Sequence, residues 1–401
     1  MKNDGKFDVA VVGAGPAGLA AALAIARQGV KVAVIAPQTD ATDNRTAALF
    51  TSSLQLLHSL GVWDDCVASS EPLKAIRIVD DTGTLLRAPE VLFAASEVGL
   101  DVLGYNIPNS VLTQALRRQA RAGDAITFYE TSAAAIDIGG GSAALRLTDG
   151  TDLNLRLIVG ADGRKSLCRS AAGIGTRAWA YEQSALACSF AHQRPHDGIS
   201  TEFHRPAGPL TVVPLPGRSS GLVWVDRPAI AQRLADLDET AFRGALEARL
   251  QGLLGSIGEI GQRGVFPLSG LVADTAAHNR VALVGEAAHV IPPIGAQGLN
   301  LGLRDAALIA DHIGDAVRLG GDIGGQQTLE AYARARRLDV TTRVWSIDLL
   351  NRSLISGFLP VQLLRGLGLH ALKSIGPLRR LAIREGLTPS YVAPSLMRRA
   401  P

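Results

Sequence analysis

Along the chain, short continuous apolar runs stop abruptly at glycine. Asp8–Val12 runs into Gly13, Leu157–Val159 into Gly160, and Val281–Val284 into Gly285. Runs of this length bounded by turn residues predict buried strands. An alanine-rich stretch follows Gly13 to about Gln28, Gly29 ends it, and Lys31–Ile35 predicts the next strand. Helical spacing covers Ser52–Leu60, a capped helix within Tyr105–Leu116, the segment from Leu299 through Asp305 to Val317, and a long helix over Leu329–Leu350. Alternation predicts a hairpin over residues 74–87 around Asp81-Thr82-Gly83, three strands between Ala125 and Val159, and further strands at Ala185–Phe190, Ile199–His204 and Leu222–Asp226. Amphipathic helices are expected around Ile230–Ala235 and Ala241–Leu254. A last helix begins near Pro360 with Val361, Leu364, Leu367, Ala371, Leu372 and Ile375 on one face.

Strand, glycine turn, helix, strand is the order that a dinucleotide-binding unit needs. In Gly13-Ala14-Gly15-Pro16-Ala17-Gly18 the first glycine makes the tight turn and the second lets a pyrophosphate approach the backbone. The third lets helix and strand pack closely. The acid that normally ends the second strand and holds a ribose is missing, because Ala36-Pro37 stands there. Gln38, Asp40 and Asp43 lie nearby without a basis for choosing among them. The second glycine-rich turn, with Pro292, Pro293, Gly295, Gln297 and Gly298, opens a helix whose first backbone N–H groups lack partners and sit at its positive end.

RVALVGEAAHVIPPIGAQGLNLGLRD, residues 280–305, resembles the GDxxHxxxPxxGxGxNxGxxD segment of the flavin-dependent aromatic hydroxylases, the single-component FAD monooxygenases. Gly285, His289, Pro293, Gly295, Gly298, Asn300, Gly302 and Asp305 carry the match, and Glu286 replaces the usual Asp. LIVGADGRKS followed by Arg169 resembles the hydroxylase DG motif through Asp162 and Gly163. DNRTAALFTSSLQLLHSLGVW, residues 43–63, resembles the ubiquinone-biosynthesis branch of the same family. The resemblance implies an α/β fold: a Rossmann-like FAD-binding domain, an inserted β-sheet substrate domain and a C-terminal helical extension. The boundaries expected are 1–75, 100–175 and 275–330 for the first, 76–99 and 176–274 for the second, and 331–401 for the third.

The same resemblance implies contacts to FAD from Gly13 to Gly18, Arg45, Asn109, Asp162, Gly163, Gly285, Glu286, Gln297, Gly298, Leu299 and Asn300. Pro292, Pro293 and Gly295 would form the flavin-face environment, with no acid or base assigned. Asn109 reads either as a helix N-cap or as a cofactor contact, and His289 as a structural histidine. The implied reaction is hydroxylation of a prenylated phenol or benzoquinol by O₂ through a C4a-hydroperoxyflavin, with NADPH or NADH as a transient reductant. A single GxGxxG leaves no separate nicotinamide domain. Two other readings stay open: an FAD-dependent reductase of another prenyl or aromatic substrate, and a degraded flavoprotein scaffold, to which Ala36 and Glu286 point.

Composition narrows the setting more than the chemistry. The 401 residues, 47% apolar, suit about two domains, and three cysteines without CxxC spacing argue against disulfides or thiolate metal sites. His192, His196 and His204 show no metal spacing. A reducing cytoplasm fits, since Asp4 and Asp8 interrupt any signal-peptide pattern and no apolar run approaches a membrane span. The net charge of +3 hides an uneven distribution: residues 351–401 hold eight Lys or Arg against Glu385 alone, about +7, leaving about −4 elsewhere. Without aromatic interleaving this excludes a nucleic-acid reading. It suggests instead that residues 351–401 meet the inner membrane face peripherally or dock to partner enzymes, unless the apolar stripe packs on the protein's own core.

Overall fold

The computed structural model describes residues 7–38, 43, 45–83, 88–355, 359–387 and 393–398, with backbone alone at 354, 355 and 359–365. The first apolar run forms the strand Val9–Val12 at the middle of a six-stranded sheet. Its strands lie in the order Ala277–His278, Val281–Leu283, Leu157–Gly160, Val9–Val12, Val32–Ile35 and Ile126–Tyr129; all but the first are parallel. Residues of the four inner strands are buried on both faces, which is why they are continuously apolar rather than alternating.

The helix Pro16–Ala26 crosses one face with Pro at its first turn, where the missing N–H costs nothing. It is buried nearly all round, and the helix Gln297–Arg318 packs along it. Leu19 and Ile25 are completely buried, each contributing roughly 1.5–3 kcal/mol of hydrophobic stabilisation. Turns at Gly139–Gly141 and Asp149-Gly150 connect a small antiparallel sheet of Ala133–Ile138, Ala143–Leu147 and Asp152–Leu155.

A nine-stranded sheet forms the second layer, centred on the 17-residue strand Thr176–His192. Gly264–Ala273 pairs along one side of it and Ser219–Asp226 along the other, followed outward by Leu210–Leu215, Ile199–His204, Ala75–Asp80 and Val91–Ala94. The helices Pro228–Asp236 and Glu239–Leu250 cover one face, burying Phe190, Trp224, Phe242 and Leu246. A three-stranded sheet of Thr46–Phe50, Gly104–Pro108 and Glu71–Leu73 joins the two large sheets; within it Asn106 donates to the Pro214 carbonyl at 2.9 Å.

Two local expectations are corrected here. The hairpin after Lys74 closes differently: Ala75–Asp80 pairs with Val91–Ala94, so the connection is wider than a turn at Asp81-Thr82-Gly83, and residues 84–87 lie outside those described. The Asp80 carboxylate accepts from the Thr82 N–H and hydroxyl and from the Ala88 N–H, tying the two described ends of the connection together. Tyr105–Pro108 is strand rather than helix, and the helix begins at Asn109.

The C-terminal region is helical: Gln326–Ile355, Leu359–Ser374 and Gly376–Leu387. The described part of the stripe expected on the second of these is only partly covered: Ala371 and Leu372 are half-buried. Leu367 is 65% and Ile375 50% exposed, while Leu369 turns inward; the side chains of Val361 and Leu364 lie outside the description. Among the described residues no helix is long and apolar enough to cross a membrane.

Candidate functional site

Three neighbouring parallel strands, Val9–Val12, Leu157–Gly160 and Val281–Leu283, end on the same edge of the six-stranded sheet. Gly13, Asp162 and Gly285 follow them directly, so the topology alone brings three distant motifs side by side. In open parallel sheets, ligands bind at this carboxyl edge.

The glycines differ in what they make room for. Gly13 sits at φ +110°, and a Cβ there would lie 2.2 Å from the Ala161 carbonyl oxygen. A Cβ on Gly18 would lie 2.2 Å from the Gly13 carbonyl oxygen. Gly15, at the N-terminus of the first helix, has nothing within 4 Å of its Cβ position: its free side faces open space, not protein. Ala17 is the meeting point of two motifs, with its methyl 3.2 Å from the Cβ positions of both Gly285 and Gly302.

The opposite wall is the start of Gln297–Arg318. Ala296 precedes it in a left-handed conformation (φ 53°), and no side chain caps the first N–H groups. Pro293, Gly295 and Gly298 are exposed there and Pro292 is buried. Asn300 is buried, and its amide is spent inside the protein. It donates to the Ala48 carbonyl at 2.8 Å and the Ala296 carbonyl at 2.7 Å, and accepts from the Phe50 N–H at 3.0 Å and the Ser53 hydroxyl at 2.7 Å. The Asn300 side chain thus ties the helix start to the strand Thr46–Phe50, leaving the backbone of 297–299 as the exposed donor surface.

Charged side chains line the cleft between. Arg45 forms a forked pair with Asp43 (2.8 Å to each oxygen), stacks over Phe266 at 5.4 Å, and feels the negative charge of Glu286. Burial raises the Asp43 carboxyl, but Arg45 and Asn109 outweigh it and hold the group below its usual range. Asn109 is not an N-cap. As the first helical residue it donates to Asp43 at 2.9 Å, and its buried Oδ1 has no partner. Glu286, about half exposed, pairs with Arg164 at 3.1 Å, and Arg164 also reaches the Ser269 hydroxyl. Arg164 further lines a cavity of about 340 Å³ with Trp179, Ser269, Leu271 and Val290. Asp162 accepts from the Cys168 N–H through one oxygen, and its other, Oδ1, is buried without a partner.

These features test whether a flavin dinucleotide suits the site. Open space at Gly15, two buried unpartnered oxygens at Asp162 and Asn109, and an uncapped helix start are what a pyrophosphate with ribose hydroxyls and a polarised ring would satisfy. The residues fit the group. At the position of the missing acid, Ala36 donates to the Tyr129 carbonyl and Gln38 is exposed, while Asp40 and Asn44 lie outside the described residues.

A family model described as an FAD binding domain matches residues 6–346. The chain belongs to this family. It is 36% identical to the ubiquinone hydroxylase UbiL of Rhodospirillum rubrum, covering 98% of this chain and 93% of that protein. It is 32% identical to the 3-demethoxyubiquinol 3-hydroxylase of Escherichia coli, covering 95% and 98%. Its fold matches the p-nitrophenol 4-monooxygenase PnpA of Pseudomonas putida with a TM-score of 0.78 over 96% of this chain and 99% of that one, at 19% identity. FAD is its cofactor and monooxygenation its class of chemistry.

Behind the motif residues lies a buried ionic network. His289 is structural: it is buried against Asp305 at 2.7 Å. The same Asp305 oxygen accepts the Gly285 N–H at 2.9 Å, and its other oxygen accepts from Arg336 at 2.5 Å. Arg336, Asp339 and Arg343 follow at i, i+3 and i+7 of the long helix, a charged stripe at helical spacing that was the available signal. His192, His196 and His204 bond to neighbouring backbone or side chains, and no cluster suited to a metal occurs among the described residues.

Proposed function

We propose that this protein hydroxylates the aromatic ring of a prenylated phenol or benzoquinol in ubiquinone biosynthesis, using FAD, O₂ and NADPH or NADH. The observation that carries it is the convergence of three strand-end motifs and an uncapped helix start on one cleft. It is supported by likeness over nearly the whole chain to proteins named for ubiquinone hydroxylation.

In this reading the backbone at Gly13–Gly18 and the positive end of the first helix receive the pyrophosphate. Asp162 Oδ1 and Asn109 Oδ1 take hydroxyl donors, and Arg45 presents a forked cation already held in shape by Asp43. Glu286 reaches the ribitol, and Gly285 lets the first helix pack close at Ala17. The amides of Gln297, Gly298 and Leu299 steady negative charge at the ring edge. Pro292, Pro293 and Gly295 border the space for the substrate ring, and Phe266 of the large sheet lies under Arg45. FAD, when bound, supplies the oxygen-activating chemistry. The chain supplies orientation and a water-poor pocket.

The test is anaerobic and aerobic turnover of the FAD-loaded protein with a short-tailed prenyl phenol, read by product mass. Gain of one oxygen atom from labelled O₂ is expected. NADPH oxidation that yields only hydrogen peroxide, or a reduced substrate, overturns the reading.

The C-terminal helices complete it. Leu367, Ile375, Leu378 and Leu381 are exposed beside the exposed Lys373, Arg380 and Arg384, an apolar and basic mixture suited to an anionic membrane surface where a prenylated substrate resides. Vesicles containing anionic lipid should retain the protein, and the Leu378→Glu, Leu381→Glu double variant should release it. Indifference of the unaltered protein to those vesicles leaves docking to partner enzymes as the role of this surface.

A further inference from the structure

Behind the cleft, one helix supports both of its edges. On Gln326–Ile355, the carboxylate of Asp339 is fully buried and accepts from Arg304 at 2.6 Å, Arg336 at 2.5 Å and Arg343 at 2.9 Å. Arg336 continues to Asp305, which holds the Gly285 N–H and His289 on one edge. Arg343 continues to the other edge, donating to the Gln297 side-chain oxygen at 2.6 Å. Its remaining nitrogen donates at 3.0 Å to the carbonyl of Glu385, on the C-terminal helix Gly376–Leu387.

Such a network is a poor way to gain stability. A well-packed apolar cluster in its place is often neutral or better, because every buried charge gives up its hydration. What the ions provide here is geometry. A guanidinium whose three nitrogens reach three different elements fixes all three relative to one another, which a lysine cannot do. Gln297 is the first residue of the helix whose leading amides face the cleft, and it has no side-chain cap in front of it. Arg343 therefore bears on that first turn through the Gln297 side chain.

We infer that Arg343 is a positioning residue. Through Gln297 it aims the amides of 297–299 at the cofactor, and through Glu385 it makes the C-terminal helix part of the same support. The inference rests on the reading that this helix start meets FAD, and it gives Arg343 no contact with cofactor or substrate.

The test compares full-length wild-type protein with Arg343→Met, Arg343→Lys, Gln297→Met and the Arg343→Met, Gln297→Met double variant. FAD affinity is read by flavin fluorescence, and the midpoint potential of the bound flavin is read alongside. Each single methionine variant should bind FAD about tenfold more weakly, the worth of one charge-assisted hydrogen bond. The double variant should be no weaker than either single one, and lysine should not restore affinity. Potentials should shift together in all the variants. Unchanged affinity and potential in either methionine variant, or an additive loss of about a hundredfold in the double one, overturns the inference. If Arg343→Met does not accumulate folded, Gln297→Met decides alone, since it leaves every buried ion pair in place. Failure of the wild-type protein itself to take up FAD would strike the functional reading instead. Normal flavin binding by wild type and variants alike would remove only the role of Arg343.

Discussion

Replacing Asp305 with leucine should be among the most damaging single changes outside the hydrophobic core. Its carboxylate is 1% exposed and accepts three hydrogen bonds, from Gly285, His289 and Arg336. Removing it leaves the equally buried Arg336, which cannot shed its charge, with Asp339 as its one carboxylate, already shared with Arg304 and Arg343. Breaking a buried pair from one side costs about 3–5 kcal/mol, a large share of the roughly 5–15 kcal/mol that holds a domain together. A fall in thermal midpoint on the order of 10 °C follows. Arg336→Met should cost less, because Asp305 keeps the Gly285 N–H and the His289 ring as hydrogen-bond partners. The double replacement, Asp305→Leu with Arg336→Met, should recover much of the loss, as both charges then leave the interior together. Urea unfolding of the four proteins without added FAD measures the cycle. Singles costing under about 1 kcal/mol, or a double equal to their sum, would refute the reasoning. The pH dependence has a definite sign. Burial pushes the Asp305 carboxyl up, but Arg336 and His289 outweigh it and hold it below its usual range. Its stabilisation is therefore complete above the unfolded value of about 3.9 and is lost as pH falls through the folded value. Asp305→Leu should flatten that acid limb.

Other expectations follow from single sites. Gly15→Val should leave the melting temperature of the FAD-free protein near wild type, since its Cβ meets nothing within 4 Å, yet abolish flavin uptake. Gly18→Ala should lower the melting temperature itself, because its Cβ would meet the Gly13 carbonyl oxygen at 2.2 Å. Asp162→Ala should lose FAD and Glu286→Asp should retain it, both read from visible absorbance; retention by the former would contradict the assignment of its unpartnered oxygen. Burial pushes the Cys66 and Cys188 thiols up to about 11 and about 12, so native protein at pH 8 should resist alkylation that urea makes rapid.

The layers of the fold were legible wherever an apolar run met a glycine, because a strand buried on both faces has no polar alternation to confuse with anything else. The strands at Val9, Leu157 and Val281 and the helix from Pro16 belong to this class. Errors arose where a side chain redirected the backbone. Alternation alone would have turned the chain at Gly83, whereas Asp80 accepts from both Thr82 and Ala88; of the two roles open to Asn109, the capping one is removed by its bond to Asp43. The support behind the cleft showed as a charged stripe, but its partners were not legible. Gln297 lies 46 residues from Arg343 and Asp305 lies 31 from Arg336, and no local pattern announces which buried acid a given arginine will find. The C-terminal stripe was visible as a pattern, but only packing shows that Leu367 and Ile375 are left uncovered.

The bonds made by Asn300 bear on how the flavoprotein is assembled. Because its amide already joins the helix at Gln297 to the strand at Thr46, the helix-start wall of the cleft is pinned by protein alone. Little ordering is left for the ligand to impose, so the entropic penalty of association is small. The newly made chain should mature as a finished receptor that FAD enters afterwards, with an uptake rate set by encounter instead of refolding, and the flavin should be removable and replaceable without unfolding its host.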